Sequence, residues 1–200
     1  MYALDDRTVL RRYRRRDVPE HEVSVMRQAR AHGFPAPEVI SVWGPDLVLE
    51  RVVGPTMRED LERDPSLLES HAALLAALHE QLHAITAPAW LPAAGTGDSL
   101  LHLDLHPENV LMGRDGPRVI DWANAARGHW ADDVATTFVI LAGAVVERPV
   151  RTLAQQFAQA FVAAFDRDTV RAHLDDAIDR RINDANLSET EREAARQVTI

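Results

Sequence analysis

The chain contains neither cysteine nor lysine. Without a thiol, disulfide staples and thiolate catalysis are excluded, and a reducing compartment suits the sequence. Without lysine, every basic side chain is one of 22 arginines, so any step that ordinarily uses an ammonium group falls to a planar guanidinium. No apolar run is long enough to cross a bilayer, and the first residues form no apolar signal segment. The expectation is a soluble, cytoplasmic protein with no membrane partner. A basic surface is lacking too: the formal net charge is −9, which argues against nucleic acid as a partner and is compatible with a cationic one. What is present is enough apolar material for a core, 46% of 200 residues, in one compact unit of two lobes.

Residues 2–13 read as a short hairpin that turns at Asp5-Asp6-Arg7. A helix follows Pro19, with Val25, Met26 and Ala29 at helical spacing and Gly33 just past its end. Strand-like runs over 38–43 and 47–53 flank the turn Gly44-Pro45-Asp46. After Gly54-Pro55 the character becomes helical. A Leu/Ala-rich helix over 66–85 is apolar all round and is expected to be buried. A Pro/Gly/Ala loop over 88–97 leads to a hairpin of 110–112 with 118–120 around Gly113-Arg114-Asp115-Gly116. Helices are predicted near 132–146, 151–165 and 169–183, and again from Ser188, where Glu191 completes a capping box. The order predicts an α+β fold: a small lobe over 1–53, an antiparallel sheet with one helix, and a mostly helical lobe over 54–200.

Between the long helix and the hairpin runs Leu101-His102-Leu103-Asp104-Leu105-His106-Pro107-Glu108-Asn109-Val110, and after the hairpin comes Val119-Ile120-Asp121-Trp122. His102, Asp104 and Asn109 fill the pattern H-x-D-x-x-x-x-N, in which the Asp takes a hydroxyl proton and the Asn holds a metal on nucleotide phosphates. A tight hairpin would fold Asp121 back beside Asn109. That pairs a carboxylate with an amide oxygen, a donor set that suits Mg²⁺. Asp104, five positions before Asn109, would face an acceptor hydroxyl. Turn and cap duty is the plain alternative for Asp and Asn, yet three such residues at matching offsets inside apolar runs weigh against it. The alternation of His102, Asp104 and His106 also raises a zinc site, for which His129 is the one further candidate. His79 and His83 read as packed or hydrogen-bonded core histidines.

These segments resemble the aminoglycoside phosphotransferase and choline kinase family, which has the protein-kinase-like fold, and the resemblance covers nearly the whole chain. Its strongest part is "LHLDLHPENVLM" with "VIDWANAARG", similar to the family's H-G-D-L-H-P-x-N-V-L and I-D-W segments. The resemblance implies an ATP- and Mg²⁺-dependent phosphotransferase that moves the γ-phosphoryl group to a hydroxyl of a small molecule. It implies Asp104 as catalytic base with His102 bracing the loop beside it, and Asn109 and Asp121 as magnesium ligands. Asp133 matches a residue that supports the catalytic loop. Glu50 and Val52 fall where an interlobe hinge meets adenine. Glu22 matches a helix residue that pairs with a phosphate-binding basic group on a strand. That group is ordinarily Lys; here "TVLRRYR" offers Arg11, with Arg12 on the opposite face. The Arg11 to Arg16 cluster as a whole reads as a solvated basic edge.

Two departures stand out. A kinase covers the phosphates with the backbone amides of a glycine-rich turn. That turn should precede Tyr2, where the chain starts, and Gly54, Gly95 and Gly97 lie in the wrong places to replace it. Three readings follow: a natural chain that begins upstream, a phosphate site open on that side, or a catalytically impaired pseudokinase serving as a nucleotide-binding or regulatory module. Leu103, where the family often has Gly, is the milder departure. Asp175, Asp176, Asp179 and Asp184 are candidates for an acidic surface facing an amine-bearing alcohol. The short segment between Ile85 and Leu100 favours a small acceptor or a shallow site.

Overall fold

A computed structural model describes residues 1–14 and 17–200, so Arg15 and Arg16 of the basic cluster lie outside the described residues. Strands β1 (Tyr2–Ala3), β2 (Thr8–Arg12), β3 (Val39–Trp43) and β4 (Asp46–Glu50) form one antiparallel sheet in the order β1-β2-β4-β3. Asp5 holds the first turn by accepting from the N–H groups of Arg7 and Thr8. Leu47 and Leu49 alternate inward on β4, as period-two strands dictate. They share a core with Val23, Met26 and Ala29 of helix α1 (Glu20–Ala31). Pro19 starts that helix, Glu20 and Glu22 suit the positive end of its dipole, and Gly33, at φ 84°, ends it.

The helical part begins with α2 (Met57–Arg63), which a capping box fixes. Thr56 accepts from Glu59 N–H, and the Glu59 carboxylate accepts from Thr56 N–H. Helix α3 (Leu68–His83) corrects the expectation of all-round burial. His71, Leu75, Leu78, His79 and Leu82 form one buried stripe, while Ala73 and Ala77 are exposed. Alanine exposes little area, so a solvated face can read as apolar. The helix enclosed on nearly every side is α4 (Trp130–Ala142), buried from Ala131 through Val139. It packs on α5 (Arg148–Val162) and α7 (Leu174–Ile182).

The helix expected over 169–183 is two, α6 (Arg167–Ala172) and α7, broken at His173. The break lets the His173 ring reach buried Asp132, Nδ1 to Oδ1 at 2.9 Å. Helix α8 (Glu189–Arg196) starts at the Ser188–Glu191 box.

Two small ladders frame the segment 102–109. Strand β5 (Ser99–Leu101) pairs with β8 (Ala126–Gly128), and β6 (Val110–Gly113) pairs with β7 (Gly116–Val119). Phe34 sets its edge on Trp122 with centroids 5.5 Å apart, which ties the end of α1 to the residue after Asp121. A Cβ on Gly54 would lie 2.0 Å from Met112 O. Only glycine lets the chain leaving the sheet cross the β6–β7 hairpin so closely.

Candidate active site

The β6–β7 ladder continues one bond past Val110 and Val119, because Ile120 N–H donates to Asn109 C=O at 2.9 Å. Asn109 and Asp121 therefore leave the same end of the hairpin. Asn109 Nδ2 donates to Asp104 backbone C=O at 2.8 Å and to Asp104 Oδ2 at 3.1 Å. Its Oδ1, and Asp121 Oδ2, accept no hydrogen bond among the described residues. Asp121 sits at φ 66°, ψ 66°, a left-handed conformation that costs on the order of 1–2 kcal/mol for a non-glycine residue. The fold fixes both polar groups of the residue before it: Ile120 N–H is committed to Asn109, and His102 Nε2 meets Ile120 O at 3.1 Å. The buried His102 ring also lies 4.8 Å from Trp122. His102 is a brace by position.

Leu103, just before Asp104, has φ 57°. Glycine would relieve that strain, but the Leu103 side chain is buried against Leu101 and Ala126. Such burial contributes about 1.5–3 kcal/mol, against a left-handed cost of about 1–2 kcal/mol, so leucine is tolerated. Asp133 of α4 pins the strained turn. Its Oδ2 accepts from His102 N–H at 3.0 Å and its Oδ1 from Leu103 N–H at 2.7 Å. His83 Nε2 lies 3.0 Å and His79 Nδ1 3.6 Å from Oδ2. Burial alone would raise the Asp133 carboxyl; the bond from His83, the electrostatic influence of His79 and His83 and the amides outweigh it and hold it well below the usual range.

His79, His83 and Asp133 lie close enough together to hold a metal ion. Both Asp133 oxygens are already spent on backbone amides, so the cluster acts as a hydrogen-bonded brace. The zinc alternative built from His102, Asp104, His106 and His129 finds no such cluster among the described residues. His129 instead caps α4, accepting from Ala131 N–H at 3.2 Å.

This brace gives the protein an acid limit. Burial, first, pushes His79 down from 6.5 to about 3, and His102 moves down for the same reason. Between those pKa values the unfolded chain binds the proton and the folded chain does not. The stability so gained is complete above about 6.5 and is lost as pH falls toward about 3. Urea denaturation should show stability falling by up to about 1.4 kcal/mol per pH unit below pH about 6 from His79 alone, with His102 adding in the same direction. A flat profile between pH about 6 and about 4 would contradict the neutral, buried state of His79.

On the sheet side, Arg11 reaches across the gap as a fork. Nη1 donates to Glu22 Oε1 at 2.9 Å and Nη2 to Asp121 Oδ1 at 3.0 Å. Burial opposes its charge, but Asp121 and then Glu22 more than compensate, so its pKa is raised. Glu22 is fully buried and accepts on Oε2 from the Tyr13 hydroxyl. Burial, then that bond, pushes the Tyr13 phenol up, so it remains a donor at neutral pH. Tyr13 also lies under the Arg11 guanidinium, 5.0 Å away, a positioning contact that sequence reading missed. Its signal was the i, i+2 spacing on one strand face. Arg12 points elsewhere and pairs twice with Asp46 at 2.6 Å.

The two hinge candidates behave differently. Glu50 is spent on Arg118, Arg30 and Glu38 N–H, whereas the backbone of Val52 has no hydrogen-bond partner among the described residues. A cavity of about 550 Å³ opens from Arg11, Asp104, His106 and Asp121. Of the four acidic candidates on and after α7, only Asp184 lines it; Asp175, Asp176 and Asp179 are exposed elsewhere.

Residues 80–173 match the phosphotransferase enzyme family. No curated protein matches the chain. Among solved structures, an ethanolamine kinase from Plasmodium vivax is similar over 94% of this chain and 74% of its own, with a TM-score of 0.63 and 12% identity. A thermostable mutant of an aminoglycoside phosphotransferase, in apo form, is similar over 80% of this chain and 73% of its own, with a TM-score of 0.59 and 17% identity. An amicoumacin kinase in complex with AMP-PNP, Ca²⁺ and Ami is similar over 98% of this chain and 85% of its own, with a TM-score of 0.52 and 13% identity. Residues 80–173 thus match the model of the phosphotransferase enzyme family, and the chain shares the protein-kinase-like fold of these small-molecule kinases.

Proposed function

We propose that this chain is an ATP- and Mg²⁺-dependent phosphotransferase that moves the γ-phosphoryl group to a hydroxyl of a small molecule. The observation that carries the reading is the convergence of Asp104, Asp121 and Arg11 at one end of a single cavity, with Asn109 hydrogen-bonded to Asp104 beside it. Oxygen donors from a carboxylate and an amide suit Mg²⁺, which takes few protein ligands and shares phosphate oxygens. Asn109 and Asp121 would hold it, and it would supply neutralisation of charge on the phosphates. Arg11, steadied by Glu22 and Tyr13, supplies the cationic contact that a lysine ordinarily makes. Asp104 orients the acceptor hydroxyl and takes its proton, the bond from phosphorus to the ADP oxygen breaks, and the bond from phosphorus to the acceptor oxygen forms. In this reading residues 1–53 form the nucleotide lobe and 54–200 the catalytic and acceptor lobe. The unpaired Val52 backbone is the edge offered to adenine. The AMP-PNP and Ca²⁺ held by the amicoumacin kinase support nucleotide and divalent-cation use.

Mg²⁺-ATP at a hundredfold excess over Kd should stabilise the protein by about 2.7 kcal/mol, roughly 5–10 °C in Tm for a chain of this size. Chelation by EDTA, or Asp121→Ala, should remove the shift. Arg11 in the place ordinarily held by lysine, with a planar fork already divided between Glu22 and Asp121, favours one rival, a pseudokinase that binds nucleotide without turning it over. That rival gives the thermal shift with no acceptor-dependent ADP release.

A further inference from the structure

The far end of the cavity has a different character from its catalytic mouth. Ile140 on α4, Val145 and Val146 on the connection to α5, Val150 and Leu153 on α5, and Leu187 between α7 and α8 all line it and are at least partly exposed. Four separate segments thus turn aliphatic side chains toward one space, and burying such area is what an apolar ligand would gain.

The bordering charges are partly engaged, and Arg181 lines the cavity with no side-chain hydrogen bond among the described residues. Arg58 is paired with Glu62 at 2.7 Å and with Glu108. Glu191 is committed to the Ser188 cap at 2.8 Å and 2.6 Å. Asp184 Oδ1 accepts from Asn186 N–H and Nδ2 at 2.8 Å and 3.0 Å. A polycationic acceptor would meet the like charge of Arg181 there, with one unoccupied oxygen each on Asp184 and Glu191 to receive it. The volume, about 550 Å³, falls in the range of about 300–1,000 Å³ typical of sites for drug-sized ligands.

We propose that the acceptor is a hydroxyl compound with a bulky apolar body, its hydroxyl at Asp104 and its body against the α4–α5 wall. This rests on the phosphotransferase reading of Asp104, and it departs from a small polar amine or an amino sugar.

The test uses the full chain with Mg²⁺-ATP and a series that keeps one hydroxyl: ethanolamine, N-benzylethanolamine and N-(naphthylmethyl)ethanolamine, with glucosamine as the wholly polar control. ADP release should give kcat/KM rising roughly tenfold or more with each added aromatic step. Val150→Asp should flatten that rise while leaving nucleotide affinity unchanged. Val150 lies in the first turn of α5, where a carboxylate suits the helix, so the variant should fold.

A kcat/KM that is highest for glucosamine, or equal across the series, overturns the proposal. If no compound is turned over, calorimetry separates the two readings. Naphthyl binding that Val150→Asp abolishes supports the apolar wall and counts against the kinase reading. Absence of binding overturns the wall itself.

Discussion

Asp104→Asn should lower kcat by about 10²–10⁴-fold, the usual contribution of a positioned acid or base, with little change in Mg²⁺-ATP affinity. The fold should survive the change. Asn109 Nδ2 keeps its bond to the Asp104 backbone carbonyl, and an asparagine oxygen can still accept from the same group. Burial would raise the Asp104 carboxyl, but the His106 hydrogen bond and nearby positive charges hold it below the usual range. It is therefore a weak base at neutral pH.

That suits a loose phosphoryl transition state, in which little basicity is demanded and orientation of the hydroxyl matters more. The loss in the asparagine variant should accordingly be nearly independent of pH above the carboxylate range. Steady-state kinetics at saturating acceptor, beside nucleotide titration, measures both quantities. Undiminished turnover would remove Asp104 from the reaction, and a parallel loss of nucleotide binding would point to a structural role.

What could be read in advance was local. Asn109 and Asp121 leave the same end of one hairpin because a four-residue turn with glycine at each end joins two apolar runs, a signal confined to about a dozen residues. The α+β order was legible for the same reason. Contacts that tie distant segments were not: Arg11 meets Asp121 across 110 positions, and His83 meets Asp133 across 50. The β5–β8 ladder has three residues per strand, too few for a period to show. Helix α2 carried a readable start, Thr56 with Glu59, beneath the broader impression of helix. The split at His173 depends on Asp132, which no local pattern announces. Leu103 lies between these cases. Its place where the family often has Gly stood out only as a departure; the positive φ and the burial that lets leucine occupy it come from the fold.

Asp133→Asn tests that conformation most directly. The native carboxylate accepts from two consecutive amides with two oxygens, whereas an amide side chain offers one oxygen and turns an N–H toward the other donor. One buried backbone N–H is then unsatisfied, and His83 loses its anionic partner. Breaking a buried, hydrogen-bonded charge in this way costs about 3–5 kcal/mol, a large part of the 5–15 kcal/mol that holds a domain folded. The consequence should reach the site as well, because the same two amides hold Leu103 at positive φ and so aim Asp104. Measured at low temperature, where the variant remains folded, kcat should still fall well below wild type while Mg²⁺-ATP affinity changes less. A stable variant with native kcat would show that the loop keeps its shape without Asp133, and that β5 and β6 alone suffice to present Asp104 to the cavity.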